Sequence, residues 1–169
     1  MKDKKSLIIY FSRADENWYD NGLKVLDKGN TEKVAEYVHD LIGADLFKVT
    51  PTVPYSKSYE ECKTESQERV GNAPIKEHLK DISDYEVVYI MTPVYYDSYA
   101  PEIETAVKDL DFSDICIRVL TTHEGSGLGH VVNDVMKTCN HNVYDALSIV
   151  GSEVEDSKDK IAKWIKELS

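Results

Sequence analysis

Residues 86–101 read Glu86-Val87-Val88-Tyr89-Ile90-Met91-Thr92-Pro93-Val94-Tyr95-Tyr96-Asp97-Ser98-Tyr99-Ala100-Pro101. The run from Glu86 to Met91 is almost wholly apolar and rich in β-branched and aromatic residues, the pattern of a strand covered on both faces. Pro101 then opens a helix predicted over Ala100 to Leu110, in the first turn, where a missing N–H costs nothing. A tyrosine-rich loop lies between. Strand, loop, helix is the unit that recurs along the chain in both directions.

Upstream, Ser6 to Phe11 is a second such strand. From Asn30 onward Val34, Val38, Leu41 and Ile42 fall at helical spacing, and Gly43 stands where a helix end favours positive φ. Ala44 to Val49 reads as a short strand stopped by Thr50-Pro51. The segment 51–85 is less regular: Tyr55 to Gly71 is predicted helical, with Tyr59, Cys62, Ser66 and Val70 inward. Pro74 is expected to open a short helical turn containing Ile75 and Leu79. Downstream, strands are predicted over Ile115 to Thr121 and Tyr144 to Val150. Between them Leu128, Val131, Val132, Val135 and Met136 mark an amphipathic helix. A last helix carries Ile161, Trp164, Ile165 and Leu168 opposite Lys158, Asp159, Lys163 and Lys166.

Apolar strands alternating with helices require a parallel sheet with right-handed crossovers and helices on both faces, a three-layer α/β/α sandwich. With five strands in 169 residues, the order 2-1-3-4-5 is favoured over the longer dinucleotide-binding order. No repeat or linker interrupts the pattern, so residues 1–169 are expected to form one domain. In such sheets ligands bind beyond the carboxyl ends of the strands, at the switch point.

Composition narrows the partners. The chain is 41% hydrophobic and 30% charged, and 20 Lys and Arg against 31 Asp and Glu give a formal charge of −11. That sign repels phosphate backbones and anionic lipid, so nucleic acid and membrane are disfavoured and a basic surface on another protein is favoured; solubility alone is the other explanation. No apolar run approaches the roughly 20 residues of a membrane span. The charged start Met1 to Lys5 precedes a run too short for a signal peptide, so a cytoplasmic location is expected. Cys62, Cys116 and Cys139 form no C-x-x-C pair and the histidines no H-x-x-x-H pair, which excludes a disulfide framework and the usual metal patterns. Cys116, between Ile115 and Ile117, reads as a buried small hydrophobe.

The loops after the first, third and fourth strands hold the candidate site. Ser12-Arg13 and Gly29-Asn30-Thr31 bring hydroxyls, a glycine without Cβ and a helix N-terminus, the components of a phosphate site. The alternative is a plain helix cap by Asn30 or Thr31. The tyrosines of Thr92-Pro93-Val94-Tyr95-Tyr96-Asp97-Ser98-Tyr99 could stack on a flat heterocycle, or cover a helix end or a subunit contact. Gly125, Gly127 and Gly129, after Thr121-Thr122-His123-Glu124, suit a backbone close to a ligand or a sharp strand-to-helix turn. Together the three loops describe a site for a phosphorylated flat cofactor.

Over essentially its whole length the sequence resembles the flavodoxin family. Ile9-Tyr10-Phe11-Ser12-Arg13 and Gly29-Asn30-Thr31-Glu32-Lys33-Val34-Ala35 are similar to the two halves of the family's phosphate loop. Tyr85 to Pro93, with Tyr95-Tyr96 and Pro101, is similar to its third strand and flavin-side loop. Thr121-Thr122 with Gly125-Ser126-Gly127-Leu128-Gly129 resembles its T-S-G-G-S-G-L-G segment. Tyr55, Tyr59 and Trp164 also fall where many bacterial members place them.

The resemblance implies one non-covalent FMN. Ser12, Arg13, Gly29, Asn30 and Thr31 would bind its phosphate. Thr92, Pro93, Val94, Tyr95, Tyr96 and Asp97 would flank the isoalloxazine, and Thr122, His123 and Gly125 would lie along its other edge. Residues Ala14 to Lys28, with Trp18 and Tyr19, are inserted between the halves of the phosphate loop. They are expected to form an ordered lid over the phosphate, or else to block it. Asp97 replaces the family's usual Gly, and His123-Glu124 replace two small residues. The function implied is electron transfer to a redox partner with a basic docking surface. An FMN-dependent NAD(P)H:quinone-type oxidoreductase, or a flavodoxin-like module that has lost its flavin, are the alternatives.

Overall fold

The computed structural model describes residues 5–19 and 21–168. The charged start expected over Met1 to Lys5 therefore lies, Lys5 apart, outside the described residues. The chain runs β1 (Ser6–Tyr10), β2 (Asp15–Tyr19), β3 (Gly22–Leu26), α1 (Asn30–Ile42), β4 (Asp45–Lys48), α2 (Tyr59–Glu68), β5 (Val87–Tyr95) and β6 (Ser98–Tyr99). It continues as α3 (Pro101–Val107), β7 (Cys116–His123), α4 (Val131–Cys139), β8 (Val143–Val150), a 3-10 helix (Gly151–Asp156) and α5 (Lys158–Lys166).

The central sheet has the order β4-β1-β5-β7-β8, with all four pairings parallel. This is the order 2-1-3-4-5 that the five alternating strands imply. Side chains leave it alternately on two faces. Ile8, Tyr10, Tyr89, Met91 and Leu120 pack with Val34 and Val38 of α1 and Ile161, Trp164 and Ile165 of α5. Leu7, Ile9, Val88, Ile90, Ile117 and Val119 pack with Ile103 and Val107 of α3 and Val131 and Val135 of α4. Among the described residues no helix is long and apolar enough to cross a membrane, and no cluster of His, Cys, Asp or Glu could hold a metal ion.

Several elements differ from the sequence reading. The helical turn expected at Pro74 is absent: Ile75 bridges Pro51, Lys76 N–H donates to the Thr50 carbonyl at 2.8 Å, and Thr52 N–H to that of Pro74 at 3.0 Å. Pairing with a distant segment outweighs a favourable local start. The helix expected from Tyr55 starts only at Tyr59, after Ser58, whose hydroxyl accepts from Glu61 N–H. The helix after Gly127 is delayed to Val131 because Gly127 and Gly129 have φ of 62° and 50°. That after Ala100 stops at Val107 rather than Leu110. Cys116 is half-buried, whereas Cys62 and Cys139 are buried.

Strand β5 runs on past Met91 to Tyr95. Phe11 N–H donates to the Met91 carbonyl, which fixes the side of β5 that faces β1. Pro93 points the same way but lies beyond the last β1 partner, so its missing donor breaks no ladder bond. Tyr96 and Asp97, both at positive φ (50° and 64°), then form the two-residue turn into β6, where Tyr95 pairs with Ser98.

Arg118 of β7 is fully buried. Its guanidinium binds both oxygens of Asp145 on β8 at 2.7 and 2.8 Å, donates to the Trp164 carbonyl at 2.7 Å, and stacks 4.0 Å from the Trp164 ring. The side chain thus fastens the end of α5 to the sheet.

Candidate functional site

A cleft of about 360 Å³ opens beyond the carboxyl ends of β1, β5 and β7. That is within the roughly 300–1,000 Å³ of small-molecule sites. Of the sequence-derived candidates, it is lined by Ser12, Arg13, Asn30, Thr31, Pro93, Val94, Tyr95, Tyr96, Asp97, Thr122 and His123. Gly29, Thr92 and Gly125 are not among its lining residues.

At one end, the two segments separated by the insertion meet. Gly29 precedes α1, and a Cβ there would lie 2.2 Å from Ser12 Oγ and 2.6 Å from the Arg13 carbonyl oxygen. Only a residue without a side chain lets the chain pass so close. Neither Asn30 nor Thr31 caps the helix: the cap position is Gly29, which has no side-chain bond to offer. Instead Ser12 Oγ, from the loop after β1, accepts the Glu32 N–H at 3.0 Å. Thr31 Oγ1 and Thr122 Oγ1 lie 2.8 Å apart, joining the start of α1 to the end of β7. Hydroxyls and a helix N-terminus therefore converge on one corner, where partial positive charge concentrates.

Arg13 lines the cleft but is held differently from expectation. Its guanidinium donates to the carbonyls of Ser56, Lys57 and Glu16. Those bonds tie the loop before α2 to the β2–β3 hairpin and leave little of the fork for an anion. The insertion Ala14 to Lys28 is itself this hairpin, with Trp18 opposite Leu23. It docks through Glu16, which accepts from Tyr59 N–H, and through Tyr19, whose hydroxyl donates to Asn30 Oδ1 at 3.3 Å. Asn17 and Trp18 form a side wall of the cleft rather than filling it.

The other end is aromatic. Half-buried Tyr95 meets Phe11 and Tyr55 edge-on, with centroids 6.0 and 6.3 Å away. Tyr96 is 52% exposed and its hydroxyl donates to the Lys63 carbonyl at 3.3 Å. Trp18 lies 6.1 Å from the Tyr59 ring, tilted by 31°. Thr92 Oγ1 donates to the Pro93 carbonyl and accepts from Ala100 N–H, so it shapes the loop from behind. The Asp97 carbonyl accepts from His130 N–H, and a Cβ on Gly129 would lie 2.5 Å from that oxygen. The glycine-rich loop thus packs on the turn at Asp97.

Gly125 N–H donates to His123 Nδ1 at 3.0 Å, leaving that nitrogen an acceptor. Burial first, and then nearby Lys160, lower the His123 pKa below its ordinary 6.5, so the ring is neutral at pH 7. The Glu124 carboxylate is held by Ser152, accepting its N–H at 2.7 Å. Tyr59, Cys62, Lys63 and Ser66 of α2 also line the cleft. The sequence marked Tyr59, Cys62, Ser66 and Val70 as an inward helical face; Val70 lies past the end of α2 and is exposed, and the mixed polarity of the other three was the signal that this face borders a site. Burial raises the Cys62 thiol pKa, so it is not a ready nucleophile.

The flavodoxin family profile, described as Flavodoxin, matches residues 25–168. The chain belongs to the flavodoxin family. Among solved structures, this flavodoxin-family fold is similar to a protein from Bacteroides uniformis ATCC 8492, at 17% identity over 98% of this chain and 99% of that one, with a TM-score of 0.75. It is also similar to a flavoprotein from Lactobacillus acidophilus NCFM solved in complex with FMN, at 20% identity over 91% and 98% of the two chains, with a TM-score of 0.64. The apo-form of the Lactobacillus acidophilus flavoprotein matches at 20% identity over 92% and 97%, with a TM-score of 0.60. No curated protein matches the sequence at a significant level.

Proposed function

We propose that this protein binds one FMN non-covalently in the cleft and serves as a flavodoxin-type electron carrier. One observation carries the reading: the α1 N-terminus, without a side-chain cap of its own, opens into the same cleft as Tyr95 and Tyr96. Membership of the flavodoxin family and the FMN held by the Lactobacillus acidophilus relative support it.

The first-turn N–H groups of α1 and the hydroxyls of Ser12, Thr31 and Thr122 would hold the phosphate. Pro93, Val94, Tyr95, Tyr96, Asp97 and His123 would border the ring. Bound FMN supplies one- or two-electron transfer. The chain contributes placement, exclusion of water and field: Glu124 in the cleft wall and a net charge of −11 disfavour added negative charge on a reduced ring. The same acidity fits a redox partner with a basic docking surface.

Adding FMN to the purified chain tests the reading. A yellow band that survives desalting and a raised melting temperature are expected, because a ligand bound only by the folded state stabilises it. Colourless protein with unchanged melting overturns the reading and favours a module without flavin. Half-exposed Trp18 and Tyr96 at the cleft mouth favour one second reading, an FMN-dependent NAD(P)H:quinone-type oxidoreductase. Rapid NADPH oxidation by the loaded protein alone would select it over the carrier.

A further inference from the structure

Behind the aromatic wall lies a buried ionic cluster that the fold does not need for capping or pairing of strands. Glu102, in the first turn of α3, is 0% exposed. Both of its oxygens accept from the Tyr55 hydroxyl, at 2.8 and 3.1 Å, and Arg69 Nη1 lies 3.4 Å from Oε2. The Arg69 guanidinium also covers the Tyr55 ring at 3.8 Å. Tyr55 in turn meets Phe11 and Tyr95 edge-on, with centroids 5.8 and 6.3 Å away, and Tyr95 lines the cleft.

A buried carboxylate is a poor way to gain stability. Its desolvation is costly, and apolar residues of similar volume often pack as well or better. What the cluster does provide is direction. Tyr55 has few rotamers; two oxygens on α3 fix its hydroxyl end and a cation from the end of α2 covers its ring. The ring so fixed is one of the two against which Tyr95 rests.

We propose that Glu102 is a positioning residue for the cleft: through Tyr55 it sets the placement of the Tyr95 ring, and with it how closely a planar ligand is held. The inference rests on the FMN reading for its consequence in binding, but not for the link from Glu102 to Tyr95. Arg69 neutralises the carboxylate, so the effect runs through ring geometry rather than through net charge.

The test compares Glu102→Ala, Glu102→Gln and Tyr55→Phe in the full chain, with two readouts. The first is the NMR signal of the Tyr95 ring without FMN. Glu102→Ala and Tyr55→Phe should shift it, and Glu102→Gln, whose amide oxygen still accepts from Tyr55, should return it close to the parent position. The second is FMN titration: the loss of one tether should weaken binding about five- to tenfold and move the visible flavin band, with Glu102→Gln within about threefold of the parent. An unmoved Tyr95 signal in folded Glu102→Ala overturns the proposal, as does Glu102→Gln behaving like Glu102→Ala. If Glu102→Ala does not fold, Tyr55→Phe decides by the same two readouts. A parent chain that binds no FMN would sink the cofactor reading, and the Tyr95 signal would still decide whether Glu102 places that ring.

Discussion

Gly29→Ala probes the joint that makes the site. The backbone there has φ −64° and ψ 154°, which alanine adopts without strain, so any cost is steric. The new Cβ would lie 2.2 Å from Ser12 Oγ and 2.6 Å from the Arg13 carbonyl oxygen. The hydroxyl can rotate away, but then the Glu32 N–H loses its acceptor, at about 1 kcal/mol. The carbonyl can move only with the backbone, an overpacking cost of about 1–3 kcal/mol. The sum is roughly 2–4 kcal/mol, and at roughly 2–4 °C per kcal/mol for a chain this size the melting temperature should fall by about 5–15 °C. Circular dichroism melts of Gly29→Ala, Ser12→Ala and the double variant form the assay. Ser12→Ala alone should cost about 1 kcal/mol. The double variant should be more stable than the two single losses added together, because the clash with Oγ is gone while that with Arg13 remains. Gly29→Ala melting within 2 °C of the parent (well under the roughly 5 °C lower bound) would refute the reasoning.

Thr31→Ala removes the partner of Thr122 and one hydroxyl from the corner proposed to hold the phosphate, so FMN should bind more weakly by about 1–2 kcal/mol by titration. Asp145→Ala leaves the guanidinium of Arg118 buried with the Tyr89 hydroxyl and the Ile165 and Trp164 carbonyls as acceptors but no counter-charge, and should cost about 3 kcal/mol in urea unfolding. His123 has a folded pKa lowered by burial, so the unfolded chain takes up its proton first as pH falls. Its stability contribution is therefore complete above about 6.5 and is lost as pH drops through the folded value; His123→Gln should flatten that part of a melting-temperature profile.

The sheet was legible because parallel strands buried on both faces announce themselves as apolar runs, and Val87–Met91 or Ser6–Tyr10 admit no other reading. The hairpin was not. Gly22–Leu26 is largely apolar but does not alternate cleanly, its partner Asp15–Tyr19 is mostly polar, and the hairpin docks through a glutamate and an arginine whose partners are distant in sequence. Pro74 failed for the same reason, since its partner Thr52 is distant in sequence. At the site, the meeting of Ser12, Thr31 and Thr122 follows from topology alone: each lies where a strand ends or the first helix begins. The orientation of Arg13 does not follow, because nothing local shows that the carbonyls of Ser56 and Lys57 will reach it. Glu102 was hidden as well, an acid in a first helical turn being ordinary on a surface.

The tethering of Arg13 bears on how an anion would arrive. With that guanidinium committed to carbonyls, the corner formed by Ser12 and Thr31 would recognise a phosphate chiefly by aimed dipoles, which act only at short range. From afar, a dianion meets a molecule of charge −11 and is pushed away. Added salt shortens the reach of that repulsion and leaves the dipoles nearly untouched, so uptake should speed up with ionic strength.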